Sequence, residues 1–199
     1  MKVKWKHNYD DLLKAGFGLR MEVFKFLKYV WETELIPRKW DLTTLMQVYN
    51  KGPEFCLRFV HLKHWLPRLF DGLVLSKIKP KIVAAMSKFQ IGAKPGHMPR
   101  EHIFVVRSLI DLYKSKNIPL LCTSIDISQY FDKHPLLEGQ DCIAHASVDK
   151  KCYRLLYKLN ANTTVQVKTA VGLSEMAVTS ENTAQGSKSA GIICSLSLS

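Results

Sequence analysis

The stretch Leu120-Leu121-Cys122-Thr123-Ser124-Ile125-Asp126-Ile127-Ser128-Gln129-Tyr130-Phe131-Asp132 constrains the fold more than any other part of the chain. A short apolar run delivers one carboxylate at its end, and an aromatic and a second carboxylate follow at once. Such a run reads as a buried strand with Asp126 at its tip. A rigid strand of that kind holds a hard oxygen ligand where solvent and a divalent ion can reach it. On this stretch alone the plainer reading stays open, because an Asp ending a strand also serves as a turn residue or helix cap.

The chain has 199 residues, enough for one large domain or two small ones around a real core. Apolar residues make up 47% and charged residues 23%, a balance that excludes wholesale disorder. The net charge of +12 is concentrated in one place: between Asn50 and Lys116, 13 Lys/Arg face four acids, a net of +9. Phe59, Trp65, Phe70, Phe89 and Phe104 interleave with these cations, so the block belongs to folded structure and favours a polyanionic partner. An anionic membrane surface is the rival partner. The five cysteines are an odd number without C-x-x-C spacing, which points to reduced thiols in an intracellular protein, nucleus and cytoplasm both remaining open. The N-terminus has charges but no apolar core behind them, and no charge-free run reaches the length of a membrane helix. The expectation is a soluble protein with no membrane partner.

The periodicity predicts a helix from Leu19 to Glu34 stopped by Pro37, and a strand over Leu42 to Tyr49. Asn50-Lys51-Gly52-Pro53 is a turn carrying a cation. Val60 to Lys88 reads as helical, with breaks at Pro67 and Pro80. Gln90 to His97 is a loop rich in Gly, Pro and cations, and an amphipathic helix from Arg100 to Lys116 follows it. After the strand ending at Asp126 comes a short helical turn, and His134 to Lys150 reads as loop with broken helix. Asp149 to Leu159 is helical, Thr164 to Val171 is a strand, Val178 to Gln185 pairs with it, and the chain turns helical or apolar after Gly186. Helices followed by strands with acidic and glycine signals give an α+β class.

The order of these features resembles the reverse transcriptase domain of non-LTR (LINE-like) retroelements, from about Ile36 to Ser199. Ile36-Pro37-Arg38-Lys39-Trp40 and the strand ending in Asn50-Lys51-Gly52 look like the start of its fingers. Arg58-Phe59-Val60-His61-Leu62 resembles the segment whose arginine lies near triphosphate or template. Phe89-Gln90-Ile91-Gly92-Ala93-Lys94-Pro95-Gly96-His97 looks like its template-contacting loop. Ser124-Ile125-Asp126 with Phe131-Asp132 resembles its first catalytic motif, and Gln185-Gly186-Ser187 its next.

The resemblance implies a polymerase right-hand fold: an N-terminal helical extension over 1–35, a basic fingers-like region over 36–117 and a partial palm over 118–199. It implies RNA-directed DNA polymerisation on an RNA or DNA template–primer with deoxynucleoside triphosphates, by two-Mg²⁺ phosphoryl transfer. Asp126 would be the catalytic metal ligand, with the backbone carbonyl of Ile127 beside it. Lys51, Arg58, Phe131, Gln185 and Gly186 would bind nucleotide, Phe131 stacking on the sugar. Gln90, Gly92, Lys94 and Gly96 would contact template. Asp132 reads as a structural carboxylate.

The departures from the family are as informative. Tyr130 stands where the family has Ala, and Ala190-Gly191-Ile192 replaces the usual Ser-Pro after the second motif. The aromatic-x-Asp-Asp run that supplies the other essential metal ligand is missing. The expectation is a fragment, inactive alone. The alternative is a non-catalytic nucleic-acid-binding module or a decayed retroelement product.

Overall fold

Val23, Leu27, Val30 and Trp31 recur at helical spacing, and in the computed structural model they lie on one side of α2 (Phe17–Thr33), turned toward the core. The structure describes residues 9–49, 57–127, 130, 134–161, 163–169, 171–179 and 187–199. A short α1 (Tyr9–Lys14) precedes α2. Glu34 ends α2 in the left-handed region (φ 55), and its carboxylate takes two hydrogen bonds from the Arg154 guanidinium. The Glu34 carbonyl also accepts from Lys158 Nζ at 3.0 Å, so one residue fastens the end of α2 to a distant helix. Pro37 then opens a 3₁₀ turn, Arg38–Trp40, and Trp40 packs edge-on to Phe26 and tilted against Phe70.

β1 (Leu42–Tyr49) has the bounds its sequence predicts. β2 (Leu57–Lys63) lies antiparallel to it, with Thr43 opposite Lys63. The expected helix over Val60 to Lys88 is therefore corrected: Val60 to Lys63 is strand, and α3 (Trp65–Ala85) begins after His64, whose Nδ1 accepts from Leu66 N. Neither proline breaks α3. Pro67 sits in the first turn, where its missing N–H has no intrahelical partner to lose, and Pro80 is carried inside the helix. α4 (Pro99–Ser115) follows the Gly/Pro loop as expected.

The second correction concerns Leu120 to Asp126, which joins no strand. Leu121 is 94% exposed and Ile125 86%. Asn117 ends α4 in the left-handed region (φ 53) and Pro119 follows it, while β2 and β3 already flank β1 and β4 flanks β3. An apolar run becomes a strand only where a partner backbone is free to receive it.

The third correction is α5 (Leu136–His145), a regular helix where a broken one was expected. Gly139 makes it possible: a Cβ there would lie 2.8 Å from Ile193 Cγ2 and 3.1 Å from His134 Cε1. Gly139→Ala therefore overpacks the contact between α5 and the last helix. It should lower the urea unfolding free energy by about 1–3 kcal/mol, less whatever helix propensity returns. α6 (Lys150–Asn160) is capped by Asp149, which accepts from Lys151 N and Cys152 N. β3 (Thr163–Lys168) runs parallel to β1, β4 (Ala177–Thr179) pairs antiparallel with β3, and α7 (Ala190–Ser197) ends the chain.

The result is an α+β arrangement with a four-stranded mixed sheet in the order β2-β1-β3-β4 and seven α-helices among the described residues. The apolar core is built by helices: Leu27, Val30, Phe70, Val74, Ile78, Ile82, Ile143, Leu155, Leu156 and Ile193 come from α2, α3, α5, α6 and α7. The sheet meets this body at one end, where its buried described residues are Thr43, Lys63, Thr163 and Val165. That seam is polar. It also sets a pH dependence, because burial and then the charge of Lys63 push the neighbouring His61 imidazole down to about 4. The unfolded chain takes up a proton near pH 6.5 that the native state refuses, so stability is full above 6.5 and is lost as pH falls toward 4. His61→Leu should flatten the unfolding midpoint across that window.

Candidate nucleic-acid interface

The loop between α3 and α4 is shaped by its own hydrogen bonds. Gln90 Oε1 accepts from Gly92 N at 2.9 Å, and turns close from Lys94 N to Ile91 O and from His97 N to Lys94 O. Ala93 and Gly96 adopt positive φ (56 and 79), a conformation that costs glycine nothing and alanine some strain. The loop rests on α7. A Cβ at Gly92 would lie 3.5 Å from Ser195 Oγ and 3.0 Å from Gln90 Oε1, so the glycine lets the backbone lie close against that helix. Gln90, Gly92, Lys94 and Gly96 thus share one loop, Gln90 and Lys94 half-buried and the two glycines exposed.

The loop leads into α4 through Glu101. Its carboxylate accepts from Met98 N at 2.9 Å and meets His97 Nδ1 at 2.7 Å, and the His97 hydrogen bond holds the carboxyl below its usual range. Pro99 at the first helical position completes the start. No residue of α4 is buried. Arg100, Arg107 and Lys114 are spaced seven apart, so they form one row along the helix, about 10.5 Å between neighbours. Ile103, Val106 and Ile110 form an apolar strip alongside. None of the three cations is ion-paired among the described residues, and Lys94 likewise has no acidic partner there. A row of unpaired cations on a rigid helix suits phosphates arrayed along a strand.

Asp126 lies elsewhere in character. It is exposed on the segment that forms no strand, and it makes no hydrogen bond or ion pair with another described residue. Ile127, whose carbonyl was expected beside it, is 48% exposed. Among the described residues no three of His, Cys, Asp and Glu come together as a metal-holding group. One carboxylate and one carbonyl on an exposed segment do not fit a two-Mg²⁺ centre, which needs several fixed oxygen ligands. Of the expected nucleotide-binding residues, Arg58 contributes its backbone to β2 opposite Val48. Lys51, Phe131, Gln185 and Gly186, together with Asp132 and the Arg58 side chain, lie outside the described residues.

Sequence reasoning missed the polar seam. Lys63 is 7% exposed and donates to Leu159 O at 2.9 Å and Asn160 Oδ1 at 3.3 Å. Asp71 is 5% exposed, and its Oδ2 accepts from Lys188 N at 2.7 Å and Ser189 N at 3.1 Å, capping α7 from another helix. One signal was available: Asp71 falls on the stripe Pro67, Phe70, Val74, Ile78, Ile82 that α3 buries. A carboxylate on such a stripe must meet a donor inside the protein. His61 Nδ1 is buried without a hydrogen-bond partner among the described residues, and His64, three residues on, caps α3. No protein-family model matches the chain, and no curated protein is significantly similar to it.

Proposed function

We propose that the chain derives from a reverse transcriptase, binds nucleic acid and does not polymerise by itself. In this reading the α+β body corresponds to fingers and part of the palm of a polymerase right hand. Template–primer lies along the loop from Gln90 to Gly96 and the α4 row. The observation that carries it is the set Lys94, Arg100, Arg107 and Lys114, four cations without acidic partners among the described residues, on a loop and helix fixed against one another by Glu101. Each phosphate neutralised by one of these cations releases counterions condensed on the nucleic acid, which favours binding entropically without reading sequence.

Lys51, Arg58, Phe131, Gln185 and Gly186 enter as the nucleotide side of the same proposal, resting on the family resemblance. Magnesium and deoxynucleoside triphosphates belong to it on the same footing. Asp126 would serve such a centre only alongside further carboxylates, so no catalytic step is assigned to it here.

The test uses the chain as it stands. With template–primer, deoxynucleoside triphosphates and Mg²⁺ it should bind but leave the primer unextended. Asp126→Asn should bind within about twofold of the wild type, since an exposed carboxylate contributes little to phosphate affinity. Primer extension abolished by Asp126→Asn would overturn the non-catalytic part of this reading. Failure to bind at low salt would overturn the rest.

A further inference from the structure

Six of the eight buried polar or charged side chains among the described residues gather at the seam between sheet and helices: Thr43, Lys63, Asp71, Asn160, Thr163 and Ser189. They are linked. Thr163 Oγ1 donates to Asn160 O, Lys63 spans to the end of α6, and Asp71 reaches the start of α7. Between Lys63 and Asp71 lies a cavity of about 10 Å³, walled also by Pro67, Arg68, Asn160 and Ser187. The two charged groups form no direct ion pair.

Two residues that line this space, Lys63 and Asp71, each carry an unmet hydrogen-bonding capacity. The Lys63 ammonium has three protons and spends two, on Leu159 O and Asn160 Oδ1. Asp71 Oδ1 is buried and has no hydrogen-bond partner among the described residues, its sister Oδ2 being occupied by two backbone N–H groups. A buried carboxylate oxygen and a buried ammonium proton each left unmet would cost far more than a bridged pair.

We propose that this cavity is a binding site for one water molecule, which accepts from Lys63 Nζ and donates to Asp71 Oδ1. The volume matches the least that holds a single water, and the lining supplies both a donor and an acceptor. The chemistry selects against the other small occupants. An anion would face the Asp71 carboxylate, a cation would face the Lys63 ammonium, and an apolar molecule would satisfy neither. Water alone both donates and accepts.

The bridge also has a mechanical role. It joins the end of β2 and the Leu159 carbonyl of α6 to the Lys188 and Ser189 N–H groups just before α7, and α7 is the helix beneath the Gln90–Gly96 loop. The water therefore belongs to the set of contacts that fixes the loop's support. This inference stands on the seam alone and holds whether or not the chain binds nucleic acid.

A high-resolution crystal structure of the full chain tests it. Density for one solvent oxygen about 2.7–3.2 Å from both Lys63 Nζ and Asp71 Oδ1 is the expected result. A direct Lys63–Asp71 pair, an ion with anomalous signal, or a dry cavity would each overturn the proposal. Oxygen-17 relaxation dispersion in solution gives a second reading: Lys63→Met/Asp71→Leu should lose one long-lived internal water relative to the wild type. An unchanged number in the folded double variant would equally overturn it.

Discussion

Replacing Arg100, Arg107 and Lys114 together with glutamate is expected to weaken binding to a template–primer duplex by roughly five-hundredfold at 0.1 M salt. Counterions set this loss. Each phosphate contact contributes a slope of about −0.9 in log K against log salt, so three lost contacts remove nearly three decades at that ionic strength, before any repulsion from the new carboxylates. The triple variant should also bind with a salt slope shallower by about three, a change that a general loss of structure would not produce so cleanly. Its fold should survive, because no residue of α4 is buried, the three cations are exposed, and none of them is ion-paired among the described residues. Affinity measured by fluorescence anisotropy, with far-ultraviolet circular dichroism as the control, decides it. An affinity within threefold of the wild type would remove the α4 row from the interface.

Lys63→Met is expected to destabilise the chain by about 3 kcal/mol, a large fraction of the stability of a protein this size. The substitution removes a buried cation that lines the same cavity as a carboxylate only 5% exposed, and it takes from Leu159 O and Asn160 Oδ1 the donor that Lys63 supplies. Burial pushes the Lys63 ammonium below its ordinary range, and Asp71 and Asp41 only partly draw it back up. Lys63→Met/Asp71→Asn should recover much of the loss. Asn is neutral and still offers an oxygen to Lys188 N and Ser189 N, so the α7 cap persists without a buried charge. Urea unfolding of the two variants and the wild type measures the difference. A double variant no more stable than Lys63→Met would mean that the seam is not held by charge compensation.

Much of the helical framework was legible because its local signals agree with one another. Asp149 accepting from Lys151 N and Cys152 N marks the start of α6, and the apolar periodicity of α2 survives into the core as Leu27 and Val30. β1 was legible by composition. β2 was not, since Phe59, His61 and Lys63 look like the approach to α3 until β1 is placed beside them. α5 was missed because Gly139 and Asp141 are poor helix formers, and the helix is held by contacts with α7 that no local window contains. Leu120 to Asp126 failed in the opposite direction, a pattern fit for a strand that pairs with neither outer strand of the sheet, β2 or β4. For the site, the Gln90–Gly96 loop could be read directly from its glycines and cations. The Lys63–Asp71 seam could not, because its partners lie about a hundred residues apart in sequence.

The salt dependence of wild-type binding tests the central claim most directly. Titration of the chain into labelled template–primer between 50 and 300 mM potassium chloride should give a straight line in log K against log salt, with a slope of about −3 to −4 for four cations meeting phosphate. A slope near zero, or no binding at the lowest salt, would contradict the account.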